Sequence, residues 1–387
     1  MIKKTTLILL IYLLSCTNFF ITGSYVFGVY YLDWISLELL VLCAILVLNR
    51  VPKSLGDDTR NFECCILWFV VLNIAQIFYT YLKYHQSITV GIKMMYFCFL
   101  LIIFFPLNRA FNTQKKAEEL KKYLVEFVAL CNIGTLLKYF LTGVKSCPQF
   151  YLLLISIPIS ISYVLYRQKS GIGWILLVSS ILVRVFLSTN TAFLIIFIAV
   201  VIMQIYMYFY DRYLLTRNRV IANFLLFVLI GCLGVFGVIQ SYIYTIINLD
   251  VGTRMRVLAI EYYIDVLKNA PLFGLGIIDP LVSTDFYKLV HGGLNRYGGS
   301  GQFYLEDIGI IGTVCQYGLI SLIPLYYMVK GMIHSISKCE GINRLQNIGF
   351  FTMTICMFIS LSPFNKAPIQ ILPLLFLMLS NNMRYQI

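Results

Sequence analysis

Charge is scarce in this sequence: 12% of its 387 residues are Asp, Glu, Lys or Arg, against about 25% in soluble domains. Hydrophobic residues make up 60%, where about 45–50% is ordinary. So apolar a chain cannot hide its surface in one water-soluble core, and the composition implies a polytopic membrane protein. A disulfide framework is also lacking. Of the eleven cysteines, Cys43, Cys98, Cys131, Cys232 and Cys356 fall inside apolar segments, and only Cys147 falls in a loop expected outside. Cys64 and Cys65 are adjacent and form no CxxC, which removes the usual zinc and redox spacing. The sequence shows no internal repeat, no DxD-like acidic cluster and no basic run of the kind that binds nucleic acid. Neither a metal, nor a cofactor, nor a nucleic-acid partner is expected.

What is present is a series of apolar stretches. A helix needs about 20 mostly apolar residues to cross a bilayer. Stretches of that size lie near 5–22, 32–49, 62–82, 90–107, 122–143, 150–166, 171–188, 190–210, 221–247, 307–329, 345–362 and 367–381. The expected fold is therefore all-α, with about twelve transmembrane helices. The opening MIKKTTLILLIYLLSC resembles a signal or lipoprotein leader, but the many later spans favour an uncleaved first helix.

The formal charge of +13 orients this layout. Lys and Arg accumulate in cytoplasmic loops. With both termini cytoplasmic, the inner ends receive Lys3, Lys4, Arg50, Lys53, Arg60, Arg109, Lys115, Lys116, Lys121 and Lys122, and later Arg167, Lys169, Arg212, Arg217, Arg219, Lys330, Lys338, Arg344 and Arg384. The short outer loops hold only Lys83, Lys93, Lys145 and Lys366. Residues 1–247 then carry the first nine spans, 248–306 form one long outer loop with short helices, and 307–387 carry the last three. A loop this long is usually functional or disordered, and its aromatic, aliphatic and glycine content argues against disorder.

Within it, RMRVLAIEYYIDVLKNAPLFGLG (Arg254 to Gly276) reads as a helix. Thr253 is the expected N-cap, and Pro271 and Gly274 the expected terminators. At 100° per residue, Arg254, Glu261, Asp265 and Lys268 share a polar stripe, while Arg256 lies opposite with Ile260, Tyr263 and Leu267. An arginine on an apolar face calls for an anion, a carboxylate or lipid phosphate. Two further cations, Lys138 and Arg184, lie inside spans near their expected outer ends. Snorkelling accounts for either alone, but ionisable residues in spans are also functional candidates.

Arg256, Ile260 and NAPLFGLG resemble the outer-loop signature of the O-antigen and capsular polysaccharide polymerases, which are related to O-antigen ligases. There an arginine precedes a short helix ending in a Pro-Leu-x-Gly-x-Gly turn, with tryptophan where Ile260 stands. YLEDIGIIGTVCQYGLI (Tyr304 to Ile320) resembles the family's start of the next membrane helix, with Asp307 at the acidic position. LSTNTAF (Leu187 to Phe193) echoes a Ser-Arg-Thr turn whose arginine is absent unless Arg184 substitutes. The resemblance covers the last third of the chain and the general layout. It departs where the family places a histidine before the tyrosine-leucine pair: here stand Gly298, Gly299 and Gly301, and the nearest histidine is His291.

The resemblance implies a metal-independent polymerase in a bacterial cytoplasmic membrane. It would move a glycan from polyprenyl diphosphate onto the next lipid-linked repeat unit, releasing polyprenyl diphosphate. Its expected partners are that lipid-linked oligosaccharide, membrane lipid, a chain-length regulator and a flippase. Arg256 is the expected cation on the leaving diphosphate, with His291, Asp307 or Glu306 as the general base. Arg254, Arg184, Lys138, Arg296 and Glu306 are expected to bind substrate. Gly274 and Gly276 are expected either to present backbone N–H groups to phosphate or to end the helix. A ligase using the same donor and a lipid-linked oligosaccharide flippase or transporter are the alternatives.

Overall fold

The computed structural model describes residues 9, 12–13, 25–26, 29–30, 59–143, 150–166, 168–187, 190–210, 251–279, 285, 305–360, 362–364 and 366–385. Most of the first two expected spans, and all of that at 221–247, lie outside these residues. Among the described residues the chain is helical, apart from a two-residue antiparallel ladder that pairs β1 (Tyr25–Val26) with β2 (Val29–Tyr30). That ladder is a small departure from the all-α expectation.

The first long helix, α1, spans Arg60–Tyr84 and is followed by α2 (Ile88–Met95), a 3-10 stretch (Tyr96–Ile103) and α3 (Phe104–Ala110). The span expected at 90–107 is therefore broken. Pro106 sits in the first turn of α3, where its missing N–H leaves no helical bond unmade. Next come α4 (Gln114–Thr142), α5 (Phe150–Leu165), α6 (Ser170–Leu187) and α7 (Asn190–Tyr210). α4 is well capped: Thr113 Oγ1 accepts from the Lys116 N–H at 3.4 Å, and Gly143 closes the helix in the left-handed region at φ 69°. Then follow α8 (Val251–Lys268), a 3-10 turn (Leu305–Ile308), α9 (Gly309–Tyr317), a second 3-10 turn (Leu319–Ser321), α10 (Leu322–Lys338), α11 (Gly341–Ser360) and α12 (Lys366–Arg384). The stretch expected as one span at 307–329 is interrupted at Gly318, whose φ of 74° and ψ of −175° no helix accommodates.

Among the described residues, three helices are long and apolar enough to cross a membrane: α1 with 25 residues, α4 with 29, and the 20-residue run Leu319–Lys338 that includes α10. At 1.5 Å per residue the shortest of them measures about 30 Å, the thickness of a bilayer's hydrocarbon core. Their surfaces agree with that role. Leu67, Val71, Ile74 and Phe78 form an exposed stripe along α1, and Leu130, Ile133, Leu137 and Phe140 form another along α4. Such contiguous apolar surface is rare on soluble monomers. Polar side chains lie inside instead: Asn73, Gln76, Asn132, Asn343, Gln346, Asn347 and Asn382 are all buried.

α1 connects two distinct regions. Near its N-terminus Phe62 stacks on Phe376 of α12, 4.7 Å between centroids, and lies against Gly331 of α10. Around this end the basic residues meet. Lys121 Nζ lies 3.2 Å from Glu118 and 3.2 Å from Asn343, Lys169 reaches Glu118 at 3.5 Å, and Arg384 bonds Asn108 at 2.8 Å. At the other end of α1 a second, smaller core gathers Ala259, Tyr263, Leu275, Ile278, Leu305, Ile308 and Cys315. Phe62 and Gln76 are fourteen residues apart in one helix, about 21 Å along its axis.

Candidate functional site

The small core exists because α8 is amphipathic and has a platform to cover. Ala259 and Tyr263, one turn apart, are its buried residues, and they pack against the 3-10 turn at 305–308 and against α9. Burial pushes the Tyr263 phenol well above the ordinary tyrosine range, so it stays neutral. Glu261, Asp265 and Lys268 are exposed as their phase requires, and Lys268 pairs with Asp265 at 2.9 Å. The helix starts earlier than expected. It begins at Val251, which places Thr253 inside the first turn rather than at the N-cap. Arg254 lies in that turn, and its side chain is outside the described residues.

Arg256 corrects the expectation in a different way. It has the phase of the docked face, one turn before Ala259 and two before Tyr263, yet its side chain is exposed. Packing covers the helix from Ala259 onwards and leaves the turn carrying Arg256 open. Among the described residues, the arginine has no carboxylate partner, and its side chain lies open. Asp307, in the 3-10 turn against which α8 packs, is exposed as well. Glu306 precedes it in the same turn, but its side chain is outside the described residues, as are His291 and Arg296 altogether.

The glycine turn does something other than bind phosphate. Gly274 and Gly276 have φ of 64° and 92°, conformations that disfavour any side chain. Their N–H groups are already engaged: Gly274 donates to the Ala270 carbonyl at 2.7 Å and Gly276 to the Gln316 carbonyl at 2.8 Å, while Leu275 donates to Cys315 at 2.8 Å. In return the Leu319 N–H donates to the Pro271 carbonyl at 2.9 Å. The expected backbone phosphate cradle at Gly274 and Gly276 is therefore corrected. These residues let the PLFGLG turn lie backbone to backbone on the end of α9, and a β-carbon at Gly274 would come 2.5 Å from the Cys315 oxygen.

The two stretches singled out in the sequence, NAPLFGLG and EDIGIIGTVCQYGLI, thus form one interlocked unit. Three side chains the sequence reading passed over clamp it to α1 and the turn after it. Gln76 donates to the carbonyls of Phe273 and Tyr317 at 2.8 and 3.1 Å. Tyr79 stacks on Phe273 and donates to the Gly274 carbonyl at 3.1 Å. Gln86 donates to the Ile277 carbonyl at 2.9 Å and accepts from the Asp279 N–H at 2.8 Å. Lys83 donates to the Tyr79 hydroxyl at 2.7 Å and places an ammonium beside this unit. The available signal was a pair of glutamines, Gln76 and Gln86, in and just beyond an otherwise apolar span.

Lys138 and Arg184 form a separate pair of positions. α4 and α6 run parallel, joined by Asn132 donating to Ser179 and Ser180 at 3.1 and 2.9 Å, and then by Phe140 against Phe186 at 5.0 Å. The helix turns carrying Lys138 and Arg184 are thereby side by side, at the ends of α4 and α6 away from Glu118 and Lys169. Lys138 is half-buried, and the Arg184 side chain is outside the described residues. Among the described residues, no three His, Cys, Asp or Glu side chains converge as a metal site would require. In comparisons with known proteins, no family model matches the chain and no curated protein matches it.

Proposed function

We propose that the chain is a polysaccharide polymerase that spans a bacterial cytoplasmic membrane about twelve times, with both termini inside. It uses glycans carried on polyprenyl diphosphate at the outer face. One observation carries this reading: Arg256 is exposed at the open end of α8, and α8 is packed against the turn that exposes Asp307. An exposed cation and an exposed carboxylate on adjoining elements suit a displacement in which negative charge leaves and a proton must be removed.

The acceptor hydroxyl oxygen attacks the anomeric carbon of the donor glycan, and the carbon–oxygen bond to the diphosphate breaks. Arg256 bears on the diphosphate through the planar guanidinium fork, where charge develops. Asp307 takes the hydroxyl proton. Lys138 and Arg184 offer further positive charge for the carrier's phosphates. The test is Arg256→Ala in a strain whose native gene is deleted, read by mass analysis of surface glycans. Single repeat units on the normal acceptor are expected. Polymer of normal length would overturn the assignment, and polymer stranded on the carrier lipid would indicate a ligase instead.

A further inference from the structure

At the basic end of the bundle, the last turn of α3 meets the last turn of α12. Arg384 donates from Nη1 to the Asn108 side chain at 2.8 Å, and the Tyr385 hydroxyl donates to the Asn112 carbonyl, so the two helix ends are held together. Among the described residues, three groups at this corner have buried side-chain atoms without a hydrogen-bond partner: Arg109 Nε, Arg384 Nη2 and both amide atoms of Asn381. Asn381 is 2% exposed and, one turn before Arg384, shares its face of α12.

We propose that this corner binds a phosphate-bearing anion, held by Arg109 and Arg384 with the Asn381 amide as a further donor. Membrane orientation alone does not account for it. That rule needs positive charge in cytoplasmic loops, which the exposed Lys115 and the half-buried Lys122 supply. It does not require guanidinium nitrogens to be withdrawn from water, which is unfavourable unless they are hydrogen-bonded. Among the described residues, no carboxylate forms an ion pair with Arg109 or Arg384. Glu118 is engaged by Lys121 and Lys169, and Glu126 by Lys122. Two guanidiniums and an amide match the oxygens of a phosphate, and basic pockets between helices at a membrane's cytoplasmic side are where lipid phosphates bind.

The test uses the purified full chain in zwitterionic micelles, titrated separately with phosphatidylglycerol and with inorganic phosphate while the unfolding temperature is followed. A ligand that binds only the folded state raises that temperature saturably. Phosphatidylglycerol is expected to do so where phosphatidylcholine does not, and Arg109→Gln and Arg384→Gln should each weaken the response about tenfold, about 1.4 kcal/mol. Lys122→Gln should leave it unchanged. Arg384→Gln also removes the Asn108 bond, so Arg109→Gln decides the matter if that variant does not fold. A saturable shift with inorganic phosphate that the same substitutions remove assigns a free anion rather than a lipid headgroup. No saturable shift with either probe, or equal shifts in Arg109→Gln and Lys122→Gln, overturns the proposal.

Discussion

The side-chain amide of Gln76 reaches the carbonyl oxygen of Phe273, 197 positions along the chain, at 2.8 Å. The same nitrogen serves Tyr317, so one residue of a helix long and apolar enough to cross a membrane holds both halves of the interlocked unit. This contact fixes the platform on which α8, and with it Arg256, is carried.

Gln76→Met keeps the side chain's length but strands the Phe273 and Tyr317 carbonyl oxygens. A buried polar group left without its partner costs about 1–3 kcal/mol. With Tyr79 and Gln86 still in place, the expected loss is about 2–4 kcal/mol, read as a lower unfolding temperature in detergent. Proteolysis between residues 268 and 285 should accelerate in parallel. An unchanged cleavage rate there would show that Gln76 does not hold the interlocked unit.

Glycines separate into two classes that substitution can distinguish. Gly274→Ala forces a β-carbon into the Cys315 and Gly318 backbone at a φ of 64°, and a destabilisation of about 2–4 kcal/mol is expected from strain and displacement. Gly171, in the first turns of α6, faces open space. Gly171→Ala should be neutral or stabilise by up to about 1 kcal/mol. Thermal unfolding of the two variants side by side checks the contrast. Similar melting for both would mean that PLFGLG does not depend on backbone contact.

Much of this architecture was legible in the sequence, and the exceptions have physical causes. α1 and α4 could be read because membrane spans announce themselves by length and apolar composition. The break at Gly318 could not, because the apolar run continues unbroken through it while the cause lies in a distant partner, the PLFGLG turn. Helical phase separated Arg256 from the solvated stripe of Glu261, Asp265 and Lys268. Phase gives direction but not cover, and the turn holding Arg256 lies beyond the part of α8 that Ala259 and Tyr263 seal. Gly274 and Gly276 looked equally suited to phosphate or to a turn. Only the positions of the Cys315 and Gln316 carbonyls decide between those uses.

Because Arg256 is exposed, its role can be separated from the fold. Arg256→Ala and Arg256→Lys should each change stability by no more than about 0.5 kcal/mol, as surface substitutions do. In a reconstituted assay with a lipid-linked donor, Arg256→Lys keeps the charge but loses the planar fork that the proposed reading sets on two phosphate oxygens. About 10–100-fold lower activity is expected, with the alanine variant lower still. If lysine restored full activity, point charge alone would suffice and bidentate recognition would be wrong.

At the opposite end, Lys121 and Lys122 are neighbours with different surroundings, and their contrast tests what burial does to an ion pair. Lys121 is 3% exposed, 3.2 Å from Glu118, whereas Lys122 is 44% exposed, 3.6 Å from Glu126. Removing one partner of a buried pair costs about 3–5 kcal/mol, because the other charge is left unsolvated. Glu118 keeps Lys169, so Lys121→Met should fall at the low end of that range. Glu118→Gln leaves Lys121 with the Asn343 oxygen as its remaining partner. A double-mutant cycle between these two should give a coupling of about 1–3 kcal/mol. The same cycle on Lys122 and Glu126 should give less than about 0.5 kcal/mol, since water and salt screen that pair. Raising salt should erase the second coupling and spare the first. Equal couplings in both cycles would mean that Lys121 is solvated after all, and that the basic end is looser than its hydrogen bonds imply.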